Sequence, residues 1–281
     1  MSRYLVTAAW LNERLGRANL KAVDASWYLP SQNRDGRAEF LAGHIPGAVY
    51  FDIDAVVDRS TDLPHMLPDE AAFAAAAGAL GLNERDTIVV YDGMGIFSAA
   101  RVWWMLRTFG ASDAYVLDGG LPSWKEAGFP LESGDAKPAQ ATFRPRFDRA
   151  AVVDFETVGA ALKGRTDVVV DARSAPRFRG ENPEPRPGLL AGHMPGARNV
   201  HYESLLDKRG RMRPPDEIRG IFQQAGVDLS GPVITSCGSG VTAATLLLAL
   251  GELGKDDVRL YDGSWSEWGA RPGAPVAEGD A

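Results

Sequence analysis

Gly43-His44-Ile45-Pro46-Gly47-Ala48 returns later in the chain as Gly192-His193-Met194-Pro195-Gly196-Ala197. Three more pairs surround it. Val23-Asp24-Ala25 matches Val170-Asp171-Ala172, and Leu117-Asp118-Gly119 with Trp124 matches Tyr261-Asp262-Gly263 with Trp268. Between them, Val89-Val90-Tyr91-Asp92-Gly93-Met94-Gly95 matches Ile234-Thr235-Ser236-Cys237-Gly238-Ser239-Gly240. All four pairs keep one order and a separation of 144 to 149 residues. Self-similarity at a nearly fixed separation marks a duplicated domain. A chain of 281 residues is long enough to bury two cores.

Each copy alternates short apolar runs with helical spacing. In the second, 167–170, 232–236 and 258–261 read as buried strands, while 215–225 and 241–253 read as helices. Strands alternating with helices predict an α/β fold, each copy a mainly parallel sheet with helices on both faces. The expected division is a first domain over 1–131, a linker over 132–150, and a second domain over 151–281. The stretch around the linker has three prolines between Pro130 and Ala150 and little periodicity. Met1 to Gly16 reads as a short amphipathic helix, too charged for a signal peptide.

Composition narrows the function. Hydrophobic residues at 45% and charged residues at 24% describe an ordinary globular protein. A net charge of -7 argues against a nucleic-acid partner. No apolar run approaches the roughly 18 residues of a membrane span, so no membrane association and a cytoplasmic location are expected. The acidic excess lies in residues 1–135, with 11 basic and 18 acidic side chains against 19 of each in 136–281. The second half also holds Arg173, Arg177, Arg179 and Arg186, for which the first half shows no counterpart in sequence. A single cysteine excludes an internal disulfide. The four histidines, His44, His65, His193 and His201, lack ligand spacing, so neither a metal nor an organic cofactor is expected.

The duplication is an internal control. Features shared by both copies, such as His44 with His193 and Asp24 with Asp171, read as scaffold. The sharpest difference is Asp92 against Cys237. Cys237-Gly238-Ser239-Gly240-Val241-Thr242-Ala243 lies between a strand and an apolar helix. A thiol there meets the positive end of the helix, and two glycines let backbone amides curl around it. Such a cradle favours negative charge on sulfur, and the thiolate is the nucleophile. The alternative is an inert buried thiol. Two other chemistries are dismissed. The glycines lack the dinucleotide and Walker patterns. A cysteine phosphatase loop needs an arginine six residues on, where this chain has Ala243.

The cysteine loop, the paired His-x-Pro-Gly-Ala segments and a first copy without cysteine resemble the tandem rhodanese-domain sulfurtransferases. The likeness runs from Asp24-Ala25-Ser26-Trp27-Tyr28-Leu29-Pro30, through His65-Met66-Leu67-Pro68 and Arg101-Val102-Trp103-Trp104-Met105, to Tyr261-Asp262-Gly263-Ser264-Trp265. The resemblance implies two rhodanese-like domains and a persulfide on Cys237. Within the family, members that use thiosulfate carry a cationic pair after the cysteine. The neutral Gly238 and Ser239 are similar instead to members that take sulfur from 3-mercaptopyruvate and release pyruvate.

The resemblance implies that Arg177 and Arg186 bind the substrate's carboxylate and keto oxygens, with Gly238, Gly240, Val241 and Thr242 forming the loop around it. It implies a proton relay of Ser239, His65 and Asp54. With no second cysteine in the chain, sulfur would pass to an external acceptor: a small thiol, cyanide or thioredoxin. Two other readings remain at this point. One is a thiosulfate:cyanide sulfurtransferase, the other a sulfur-carrying module that does not turn over.

Overall fold

A computed structural model describes residues 2–280. The chain forms two compact units. Unit 1 takes the described residues through Arg59 together with 67–148 and 206–212. Unit 2 takes 60–66, 149–205 and the described residues from Arg213 onward.

Each unit is a five-stranded parallel sheet flanked by helices. In unit 1 the strands are β1 (Leu5–Val6), β2 (Leu20–Asp24), β3 (Val49–Tyr50), β4 (Thr87–Tyr91) and β5 (Ala114–Leu117). In unit 2 they are β6 (Val152–Val153), β7 (Val168–Asp171), β8 (Arg198–Asn199), β9 (Val233–Ser236) and β10 (Val258–Tyr261). The orders are β1-β5-β4-β2-β3 and β6-β10-β9-β7-β8, the same topology twice. The central strands β4 and β9 are buried almost throughout, as parallel strands covered on both faces must be.

The shared motifs are one set of structural devices used twice. His44 stacks on Phe40 with centroids 3.9 Å apart, and its Nδ1 lies 2.7 Å from the Phe40 carbonyl. His193 does the same with Phe178, at 3.8 Å and 2.9 Å. The backbones of His44 and His193 pair with Glu132 and Ala277, so each histidine ties its loop to the chain beyond the last helix of its own unit. Trp124 and Trp268 are buried in the two cores and donate Nε1–H to the carbonyls of Pro130 and Pro275. Buried indole N–H groups need such acceptors.

Two sequence expectations meet a different structure. The N-terminal stretch is not one helix. Leu5–Val6 pairs in parallel with β5, and only Ala8–Asn12 is helical, capped by Thr7 Oγ1, which accepts the Trp10 N–H. Apolar residues at 5 and 6 gain more from an open sheet edge than from a first helical turn. The stretch expected as a linker, 132–150, has no regular structure until Arg149, yet 132–148 lies along unit 1. Ala141 donates its N–H to Gly78, Arg146 to Phe109 and Asp148 to Thr108, and Phe143 packs edge-on to Phe73. Gly78 makes this approach possible, since a Cβ there would lie 2.7 Å from the Ala141 carbonyl oxygen. These backbone donors pair with helix ends, although most of the stretch is exposed and only Phe143 is buried.

The shared strand-end aspartates differ in one respect. Asp171 is buried with Arg173, which grips it through Nε and Nη2. Asp24 is equally buried and takes the Ser26 N–H, but Ser26 stands where unit 2 has Arg173. Burial pushes the Asp24 carboxyl up to about 6 from 3.8, against hydrogen bonds from Ser26 and Tyr91 that pull it down. Folded Asp24 therefore keeps its proton to a higher pH than the unfolded chain does. This destabilises the fold as pH rises from 3.8 to about 6, by on the order of 3 kcal/mol once the climb is complete. Asp24→Asn should thus gain more stability over wild type at pH 8 than at pH 5 in paired thermal melts. An identical gain at both pH values would show that Asp24 does not titrate this way.

Candidate active site

The carboxyl end of β9 opens directly into Cys237, and the helix Ala243–Glu252 follows. The cysteine is 2% exposed. Its loop is pinned from the helix Ser264–Trp268. The Cys237 N–H donates to Ser264 Oγ at 3.2 Å, and its carbonyl accepts the Trp265 N–H at 2.9 Å. The Gly238 carbonyl accepts from both the N–H and the hydroxyl of Ser266, at 2.9 and 2.6 Å. Ser264 holds a left-handed backbone at φ 50°, a conformation that non-glycine residues keep only when their surroundings impose it. Gly240 at φ 77° turns the loop into the helix.

The same turn in unit 1 shows what this backbone course does. Asp92 is 1% exposed, and its carboxylate accepts four backbone N–H groups. Oδ1 takes those of Met94 and Gly95 at 2.8 and 2.9 Å, and Oδ2 takes those of Phe97 and Ala99 at 2.7 and 2.8 Å. The turn is a ready anion cradle. By sequence register the counterparts of Met94, Gly95 and Phe97 are Ser239, Gly240 and Thr242.

Around Cys237, unit 2 assembles a ladder of charge. Asp171 binds Arg173. Arg173 Nη1 reaches Glu184 Oε1 at 2.8 Å, and Arg177 grips Glu184 through Nε and Nη2 at 3.2 and 2.5 Å. Arg173 also lies over the Trp265 ring, 4.3 Å from its centroid. Arg177 stands at the cysteine loop, since a Cβ on Gly238 would come within 3.1 Å of its Nη2. Burial, with Arg177 nearby, holds the His201 imidazole below its ordinary 6.5, although Glu203 opposes this. Arg186 sits half-buried in a segment without helix or strand. Arg179 turns outward to Glu181. Val241 is buried and Thr242 half-buried at the loop's end.

Of the three residues expected to form a relay, the structure brings His65 and Ser239 together. His65 lies in the 60–66 segment of unit 2, 5% exposed, with Nδ1 3.0 Å from Ser239 Oγ. It too has a left-handed backbone, φ 61°. Asp54 belongs to unit 1, where its carboxylate accepts the Trp27 indole N–H at 2.8 Å. Among the described residues no cluster of three or more His, Cys, Asp or Glu side chains is arranged to hold a metal ion.

A rhodanese-like domain matches the chain twice, over residues 7–127 and 155–271. The chain belongs to the rhodanese family. A human relative, 3-mercaptopyruvate sulfurtransferase, is 46% identical over 99% of this chain and 97% of its own length. The mitochondrial thiosulfate/3-mercaptopyruvate sulfurtransferase 1 of Arabidopsis thaliana is 43% identical over 98% of this chain and 78% of its own. Among solved structures, SseA from Escherichia coli, a 3-mercaptopyruvate sulfurtransferase, superposes with a TM-score of 0.87 at 43% identity. That match covers 95% of this chain and all of SseA.

The rhodanese units also correct one sequence reading. Unit 1 does have an arginine–glutamate pair at its loop. Arg34 binds Glu39 through Nε and Nη2, and Nη2 would lie 3.3 Å from a Cβ on Gly93, the counterpart of Gly238. The two arginines sit at different distances from their glutamates in sequence, which hides the likeness. The sequence singles out neither Glu184 nor Ser266, and Ser264 only as part of a shared segment. The serines are ordinary residues in composition, and Glu184 lay inside a segment read only for its arginines. If the unit 1 turn is closed by Asp92, then Asp92→Ala leaves four N–H groups without their acceptor. It should destabilise the protein by about 3 kcal/mol or more, against about 1 kcal/mol for Cys237→Ala. Urea denaturation followed by circular dichroism measures both, and equal losses would contradict the assignment.

Proposed function

We propose that the protein is a sulfurtransferase that takes sulfur from 3-mercaptopyruvate onto Cys237 and delivers it to a thiol acceptor, releasing pyruvate. The observation that carries this reading is the cradle. In one unit the turn holds a carboxylate in backbone N–H groups, and in the other a cysteine stands in the carboxylate's place. The human and Escherichia coli relatives support the donor. The neutral Gly238 and Ser239 support it too, because a compact dianion such as thiosulfate gains from cations beside the sulfur. Mercaptopyruvate carries one charge, on a carboxylate remote from its sulfur.

The chemistry follows from the groups present. Cys237 thiolate attacks the donor sulfur and an S–S bond forms. The C–S bond breaks and its electron pair moves to carbon, giving the enolate of pyruvate and a persulfide on Cys237. The enolate must gain a proton at carbon. Ser239 Oγ–H is the donor in this scheme, and His65 at 3.0 Å resupplies it. By resemblance to the family, Asp54 is assigned the third place in the relay. Arg177 and Arg186 bind the carboxylate and keto oxygens, a planar pair that suits guanidinium forks. The amides of Gly238, Gly240, Val241 and Thr242 line the sulfur's side of the site. The persulfide then gives its outer sulfur to a small thiol, to cyanide or to a reduced protein such as thioredoxin.

No helix among the described residues is long and apolar enough to cross a membrane. A cytoplasmic site of action is part of the proposal, and the Arabidopsis relative is mitochondrial. Thiosulfate is a second donor that the Arabidopsis relative's name favours.

Mass spectrometry after treatment with 3-mercaptopyruvate should show a gain of one sulfur, about 32 Da, absent in Cys237→Ser. Catalytic release of pyruvate over many turnovers should accompany it, and a single stoichiometric burst would point to a carrier instead. Arg177→Ala should raise KM for 3-mercaptopyruvate by at least about tenfold while kcat falls less. An unchanged KM would exclude Arg177 from donor binding.

A further inference from the structure

Glu184 differs from the other acidic residues that pair with arginine here. Its side chain is 2% exposed, and its carboxylate is committed to two guanidinium groups at once. Arg173 is fully buried, held by Asp171 and by the Trp265 ring, so it is a fixed anchor. Arg177 is 22% exposed, and its Nε and Nη2 are bound by Glu184. Glu184 therefore transmits the fixed position of Arg173 to the one arginine that stands beside Gly238. A planar guanidinium gripped along one edge keeps its plane and offers its remaining N–H groups in one direction.

The ladder also sets a charge. Asp171, Arg173, Glu184 and Arg177 sum to zero. Burial, with Arg177, holds the nearby His201 imidazole below its ordinary 6.5. Unit 1 shows the contrast, for there Glu39 takes Arg34 and the neutral Tyr28 hydroxyl, and its side chain is 38% exposed. Among the described residues, a buried glutamate between two arginines occurs in the cysteine-bearing unit and not in unit 1. Removing that negative charge would leave the site one unit more positive without altering the groups on the loop.

We propose that Glu184 is a positioning and specificity residue: it fixes the Arg177 guanidinium beside Gly238 and holds the site at a net charge that selects monoanionic 2-oxo acid thiols over dianionic sulfur donors. This rests on the assignment of Arg177 to donor binding made above.

Steady-state kinetics with 3-mercaptopyruvate and with thiosulfate, cyanide being the acceptor in both, test it in three variants. Glu184→Gln should raise KM for 3-mercaptopyruvate about tenfold with kcat changed less than about threefold. The ratio of kcat/KM for thiosulfate to that for 3-mercaptopyruvate should rise at least about tenfold. Glu184→Asp keeps the charge and shortens the arm. It should raise KM for 3-mercaptopyruvate while that ratio stays within about threefold of wild type. A merely structural Glu184 would lower the melting temperature and leave KM and the donor ratio unmoved, which overturns the proposal. So does an equal fall in kcat for both donors. If Glu184→Gln does not fold, Glu184→Asp decides alone, and an unchanged KM or a shifted donor ratio overturns it. Arg177→Ala separates the two levels. If it leaves KM unchanged, the donor-binding assignment itself fails. If it raises KM while the Glu184 variants move neither KM nor ratio, only the role of Glu184 fails.

Discussion

Backbone N–H groups gathered at the carboxyl end of a central parallel strand are the constraint on which the rest of this protein depends. A strand covered on both faces delivers its last residue into a turn that must become a helix, and the first amides of that helix have no partner within it. Something acidic or polar has to meet them. In unit 1 the Asp92 carboxylate, almost unexposed, meets the helix's first amide at Ala99 together with three amides of the turn. The turn is closed there, and Gly93 is crowded by Tyr28 and Arg34. In unit 2 the position falls to sulfur. The fold thus makes the same turn twice, with a carboxylate at its centre in unit 1 and a cysteine at the equivalent position in unit 2.

Unit 2 surrounds that point with groups that are themselves immobilised. Ser264 and Ser266 fix the loop by its own backbone, so the placement of Cys237 does not rest on its side chain. The arginine beside Gly238 is held by a buried acid, and the acid by a buried arginine. A buried ion pair contributes little stability of its own, because desolvation offsets its attraction. Its value here is geometric. Each charge in the ladder is held in place by its neighbour.

Much of this was legible in the sequence, for a specific reason. Duplication made each motif its own control, so the repeat of His44 as His193 and the exchange of Asp92 for Cys237 could be weighed without knowing the structure. The fold class followed from strand and helix periodicity, as the matching strand orders show. What stayed hidden depends on long-range geometry. Arg34 and Arg177 do similar things from different sequence distances to their glutamates, and no local pattern reveals that. The 132–148 stretch, poor in periodicity, reads as free chain because its hydrogen bonds run to helix ends far away in sequence. The short strand at Leu5–Val6 exists only because β5 offers it an edge.

The composition of the two units has a consequence for biosynthesis. Residues 60–66, made early, belong to unit 2, and residues 206–212, made late, belong to unit 1. In unit 1 the late segment is not decorative: Met212 donates its N–H to Asp118, and Arg211 binds Glu126. Chains emerge from the ribosome N-terminus first, at about 5–20 residues per second. The first unit therefore cannot be completed until nearly half of the second has been made, and His65 must wait still longer for Ser239. A nascent chain of this protein passes through a period in which its first half is synthesised but unfinished. The two halves cannot be parted at their midpoint without each losing a piece of itself to the other.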